Sequence, residues 1–175
     1  MENRLKRIIK KFSPNLLEEY EEWIAEGKPE KFTVYLLHDP SPGLKIKKIG
    51  SSKTLWRRIF GGLNHRYFYN FKLIDKKHFN TAESMRQYEK IIQNFYKGEK
   101  KANINVITFA YNRRLDFKET PPPKNIEGRL ANGGSENFKE ELIPETFNEI
   151  EKEMKKYKKY NDYLISFYKK EKKVL

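Results

Sequence analysis

A chain of 175 residues with a formal net charge of +13 can bury one good core, and charge of that size favours a polyanionic partner while saying nothing about fold. The absence of cysteine excludes disulfides, thiolate zinc sites and cysteine nucleophiles, and three histidines without a close His-x-x-x-His pair disfavour a helix-borne histidine metal site. Dispersed lysines beside 12 phenylalanines and 11 tyrosines suit a surface that pairs phosphates and stacks bases, with solvated lysine faces over an aromatic core as the plainer alternative.

The N-terminus, Met-Glu-Asn-Arg-Leu-Lys, lacks the apolar core of a signal peptide, and no apolar run approaches the roughly 18 residues of a membrane span. The expectation is a soluble, intracellular protein without a membrane partner. Ser13 reads as an N-cap with Pro14 at the first helical position, Leu16, Leu17, Tyr20, Trp23 and Ile24 as one apolar stripe, and Gly27 and Pro29 as stop signals. Residues 32–37, apolar apart from Thr33, predict a strand covered on both faces, and the turn at 39–43 leads to a second strand over 44–49. Ser51 and Ser52 are placed to cap a short helix reaching Phe60, with Leu55, Trp56, Ile59 and Phe60 inward and Gly61-Gly62 as its stop.

A third strand is expected over 71–74, then a helix capped by Asn80, with Glu83 as in a capping box, running to about Lys97 before Gly98. Residues 105–111 suggest one further strand, and 120–124 and 130–134 are too rich in proline and glycine for regular structure. Beyond them, 138–150 and 154–168 read as one or two helices. The lysine-rich last one is open between a DNA-contacting arm, a dimerisation element and a packed helix with a solvated face. The order of elements predicts an α+β fold, a small antiparallel sheet flanked by helices.

Three side chains stand out chemically. At about 100° per residue, Glu89 falls within the apolar arc of Ala82, Met85, Ile92, Phe95 and Tyr96. A carboxylate facing a core is costly unless paired, protonated or bound to a cation, and such oxygen ligands suit Mg2+ or Mn2+. The alternative is a glutamate at the edge of the face paired with a lysine or arginine. Arg58 lies on the flank of its short helix beside Leu55, whereas Arg57 points further toward solvent. A guanidinium fork stabilises charge on phosphodiester oxygens better than an ammonium, although a solvated or DNA-contacting arginine fits the same position. Tyr35, in an otherwise aliphatic strand, is either a general base whose phenolate is favoured by Lys48 nearby, or a core tyrosine with its hydroxyl at the surface.

Together these residues resemble the GIY-YIG nuclease family. Val34-Tyr35 stands where the family's first Ile-Tyr falls, Lys48-Ile49-Gly50 where its second tripeptide falls, Arg58 follows Gly50 at the family's spacing, and Glu89 matches its metal-binding glutamate. The resemblance covers roughly residues 32 to 98 and looks most like the short phage- and virus-type branch, in which a later glycine-rich segment compares with Gly133-Gly134-Ser135-Glu136-Asn137-Phe138. It implies a three-stranded antiparallel sheet between helices, one divalent cation and tyrosine-assisted hydrolysis of DNA. The corresponding division is an N-terminal helical extension over 1–30, a nuclease-like domain over 31–112, a loop region over 113–137 and a basic helical extension over 138–175. Thr33 replaces the first glycine and Lys48 the second tyrosine. The family's histidine would fall near Gly62, so His65 serves only if the Gly61-Gly62 turn brings it back.

The resemblance thus implies a metal-dependent DNA endonuclease. Tyr35 would activate water, Lys48 orient or tune it, Arg58 stabilise the pentacovalent transition state, and Glu89 hold Mg2+ or Mn2+ on the scissile phosphate. His65 is a lesser candidate for proton transfer, and Lys53, Arg57 and Arg66 are candidates for backbone contacts. One such site nicks, and cutting both strands requires a homodimer or sequential attack. The alternatives are a catalytically inactive DNA-binding module of the same fold, and a basic interaction protein whose last helix recruits a partner or RNA.

Overall fold

Strand β1 (Phe32–Asp39) is buried on both faces, with Thr33, Val34, Tyr35, Leu36 and Leu37 all at 0–1% exposure, and it forms the middle of the molecule. The computed structural model describes residues 2–12, 14–39, 45–56, 72–103, 107–108, 129–130 and 137–174. β1 pairs antiparallel with β2 (Ile46–Ser52) on one side and with β3 (Lys72–Phe79) on the other. Because side chains alternate along a strand, Val34 and Leu36 enter one layer while Thr33, Tyr35 and Leu37 enter the other.

The layer under Val34, Leu36 and Ile49 is the larger core. Helix α3 (Ala82–Gly98) lays Met85, Tyr88, Ile92, Phe95 and Tyr96 against the sheet, and its Tyr88 ring meets Phe79 at 4.9 Å. Helices α4 (Phe147–Met154) and α5 (Lys158–Val174) extend the same core through Ile150, Met154, Tyr160, Leu164 and Phe167. α5 turns Lys158, Lys159, Lys169, Lys170 and Lys172 to solvent, as expected of an amphipathic helix with one buried stripe.

The opposite layer is made by α1 (Glu2–Phe12), a 3-10 turn over Pro14–Leu16 and α2 (Leu17–Ala25). Tyr20 and Trp23 pack on Trp56 at 5.5 and 6.5 Å between ring centres. The chain leaves α2 through Gly27 and Lys28, both at positive φ, and the Trp23 indole donates to Pro29 O at 2.9 Å.

Several sequence expectations are corrected. The sheet has four strands, in the order β3-β1-β2-β6, because Asn137–Lys139 forms β6 along the Ile46–Lys48 part of β2. Phe138, expected to begin a helix, lies in that strand, fully buried beside Tyr96. β3 continues past residue 74 to Phe79, since Lys76 and Lys77 find the partners Glu19 and Glu151. Ser51 and Ser52 stay within β2 rather than capping a helix, and helical structure begins at Leu55. Thr81, not Asn80, caps α3 by accepting from Ser84 N at 3.0 Å, and Gly98 is the last helical residue rather than the stop.

The strand expected over 105–111 is described only as β4 (Ile107–Thr108), paired with β5 (Arg129–Leu130) in a separate small sheet. The Ser13 cap, most of the 39–43 turn, the helix end near Gly61-Gly62, the loop at 120–124 and residues 131–136 lie outside the described residues, and Leu130, expected in irregular structure, ends β5. Among the described residues no helix is long and apolar enough to cross a membrane.

Candidate active site

Tyr35 and Gly50 are direct cross-strand partners. A β-carbon built on Gly50 would lie 2.5 Å from Tyr35 Oη and 2.6 Å from its Cζ, so the phenol rests flat against the bare backbone of β2. Only glycine leaves that room. Lys48 sits two residues before Gly50, on the same face of β2, opposite Leu37 and 7% exposed. The register therefore brings the expected phenol and ammonium onto one face.

Glu89 comes from the other side of the sheet. The α3 ring at Tyr88 packs on Phe79 and that at Tyr96 on Phe138, so the helix runs from the Ser52 end of β2 toward its Ile46 end. Gln93 donates from Nε2 to Ile49 O at 2.8 Å. Glu89, half-buried, lies one helical turn earlier on the same flank. Phenol and carboxylate thus do not line one face of the sheet. Tyr35 rests on Gly50 from one side of β2, and Glu89 belongs to the helix that packs on the other.

The segment Gly50–Ser52 begins just past Lys48↔Asn137, the last pair between β2 and β6, and among the described residues no strand pairs with its outer edge. Tyr35, Lys48 and Glu89 each have interaction partners within the fold. Arg57, Arg58, His65 and Arg66 lie outside the described residues. Lys53 is exposed, with Nζ 3.9 Å from the Glu30 carboxylate.

Thr33 has a structural use the sequence did not disclose. Its hydroxyl donates to Lys31 O at 2.9 Å and lies 2.8 Å from His78 Nδ1, so the imidazole donates from Nδ1 to the threonine oxygen. Burial, then the ammonium groups of Lys76 and Lys31, hold the His78 pKa below its ordinary value. Both residues border a small cleft of about 120 Å3 between α2 and the sheet, with Glu19, Glu22, Glu26 and Lys76 around it. Strand alternation could have singled out His78 had β3 been drawn to its full length.

Among the described residues no three or more histidine, aspartate or glutamate side chains gather as a metal cluster. The donor chemistry at Glu89 nevertheless fits Mg2+ or Mn2+, which take hard oxygen ligands and commonly use one or two carboxylates with the remaining positions filled by water and phosphate. Compared with protein-family models, with curated proteins and with solved structures, the chain matches none.

Proposed function

We propose that this protein is a metal-dependent DNA endonuclease whose active site lies at the outer edge of β2, around Gly50–Ser52. The observation that carries the reading is the seating of the Tyr35 phenol on Gly50, with Lys48 on the same face and Glu89 arriving from α3 one turn before Gln93. Tyr35 takes a proton from water as the water oxygen bonds to phosphorus; the P–O bond to the leaving sugar breaks and the departing oxygen takes up a proton. Lys48, on the same face of β2, orients that base. Arg58 stabilises the negative charge that builds on the non-bridging oxygens. Glu89 would hold the divalent ion, which when bound supplies Lewis-acid charge to the phosphate. Lys53, Arg57 and Arg66 bind the sugar-phosphate backbone, consistent with a net charge of +13.

The burial of Tyr35 to 1% and of Lys48 to 7% favours a second reading, a DNA-binding module that retains the fold without cleavage. Supercoiled plasmid with Mg2+ or Mn2+ separates the two. Nicking that is lost in Tyr35→Phe and Glu89→Gln supports the nuclease. Wild-type protein that binds DNA without nicking supports the module, and Glu89→Gln that nicks at the wild-type rate removes the metal role.

A further inference from the structure

α5 packs on the β3 side of α3, through Phe167 against Phe79 at 5.6 Å. A groove of about 400 Å3 runs between the two helices, edged by Gln87, Lys90 and Asn94 of α3 and by Tyr163 and Lys170 of α5, with Ile91 at its base. At about 100° per residue, these α3 positions lie on the flank turned away from Glu89 and Gln93. The groove is therefore separate from the candidate active site.

Its chemistry is specific. Tyr163 is 45% exposed, one of the few large hydrophobic side chains left open among the described residues. The ring is held in place: it meets Tyr160 edge-on at 5.6 Å, and Tyr160 donates its hydroxyl to Asn94 O at 3.3 Å. Lys159 places its ammonium 5.7 and 5.9 Å from the two ring centres. Lys90 and Lys170, both exposed, stand on opposite walls. An exposed aromatic face on a rigid platform, flanked by cations and by the amides of Gln87 and Asn94, has the components that bind unpaired nucleic acid: a stacking surface, phosphate partners and donors for base edges.

We infer that the α3–α5 groove binds a single-stranded nucleic-acid segment, with one base stacked on Tyr163 and the adjoining phosphates paired with Lys90 and Lys170. A volume of about 400 Å3 is near the lower end for ligand pockets and admits a base, whereas a double helix keeps its bases stacked inside and presents no face to the ring. An acidic peptide would use the lysines but would leave the ring without a partner. The inference stands apart from the catalytic reading, since it uses none of that site's residues.

The test is fluorescence anisotropy of the full chain with a labelled oligothymidylate of about a dozen nucleotides, at several salt concentrations. Tyr163→Ala should weaken binding about tenfold and Tyr163→Phe should restore it, because phenylalanine keeps the stacking face. Lys90→Gln with Lys170→Gln should flatten the log–log salt dependence by about 1.4, the value for two released phosphate contacts on a single strand. Lys10→Gln with Lys155→Gln, an equal loss of charge away from the groove, should change binding less. Run without a divalent ion, the assay reads binding and not cleavage, so failure of the nuclease reading would not register in it.

The inference is overturned if the oligonucleotide does not bind, if Tyr163→Ala binds as wild type, or if the two lysine pairs lose affinity equally. It is likewise overturned if duplex DNA loses affinity equally in Tyr163→Ala, or if polyglutamate competes as well as unlabelled oligothymidylate.

Discussion

Glu151 is the side chain whose loss the fold should tolerate least. It is 7% exposed on α4, and its Oε2 accepts from Tyr88 Oη at 2.6 Å, Tyr168 Oη at 2.8 Å and Lys77 Nζ at 3.1 Å. Lys77 also donates to Tyr168 Oη at 2.6 Å, and its ammonium lies 5.0 Å from the centres of both tyrosine rings. One carboxylate thus ties α4 to α3, α5 and β3. Glu151→Gln keeps the shape but removes the charge and turns one acceptor into a donor facing donors. Breaking a buried charge pair by removing one partner costs about 3–5 kcal/mol. Lys77 is 29% exposed and can recover some hydration, so the lower end, about 3 kcal/mol, is expected. For a chain of this size that corresponds to a fall in Tm of roughly 6–12 °C. Urea denaturation followed by circular dichroism measures it. Tyr168→Phe should cost about 1–2 kcal/mol, and the double variant should lose less than the sum, because both changes remove one shared bond. A loss below about 1 kcal/mol for Glu151→Gln, with additive behaviour, would refute the clamp.

The same cluster sets an alkaline limit. Burial and the Glu151 charge push the Tyr88 pKa far up, and burial and the hydrogen bond to Glu151 do the same for Tyr168. A raised folded pKa adds stability that is present below the unfolded value near 10 and is lost as pH rises above it, so urea midpoints should drop above about pH 10. Tyr88→Phe should reduce that drop. At His78 the folded pKa is lowered, so its contribution is present above the ordinary value near 6.5 and lost as pH falls below it. An NMR titration should find the imidazole below 6.5, with Lys76→Gln raising it; an unshifted His78 would mean that neither partial desolvation of the ring nor the Lys76 charge acts on it. Gly50→Ala should displace the Tyr35 ring, lowering stability by about 1–3 kcal/mol and reducing nicking, whereas an active, equally stable variant would show that the ring does not need that surface.

The parts legible in the sequence were those with a strong local period or a short-range marker. The β1–β2 pairing and α3 emerge from continuous apolar character and a clear helical stripe. β3 was cut short because Lys76 and Lys77 interrupt its apolar pattern, and their partners Glu19 and Glu151 lie far away in the chain. β6 has only three residues, too few for a period to distinguish a strand from the start of a helix. α1, with Leu5 and Ile9 buried, lies before the Ser13-Pro14 punctuation that marks a helix start in the sequence. Within the site, helical arithmetic puts Glu89 within the apolar arc of α3, whereas it is half-buried, on the flank it shares with Gln93. It could not show that α3 covers the face opposite Tyr35, because that follows from long-range packing such as Tyr88 on Phe79. The Glu151 clamp was equally hidden, its contact with Tyr88 spanning 63 residues of sequence.

Crystals grown with DNA and Mn2+ test the central claim most directly, through the anomalous signal of the ion. The account predicts a peak within about 2.0–2.3 Å of a Glu89 carboxylate oxygen, at the outer edge of β2 beside Gly50–Ser52, with a phosphate between it and Tyr35 Oη. Mn2+ held elsewhere on the protein, with the Glu89 carboxylate paired to a cationic side chain and no phosphate at that edge, would contradict it.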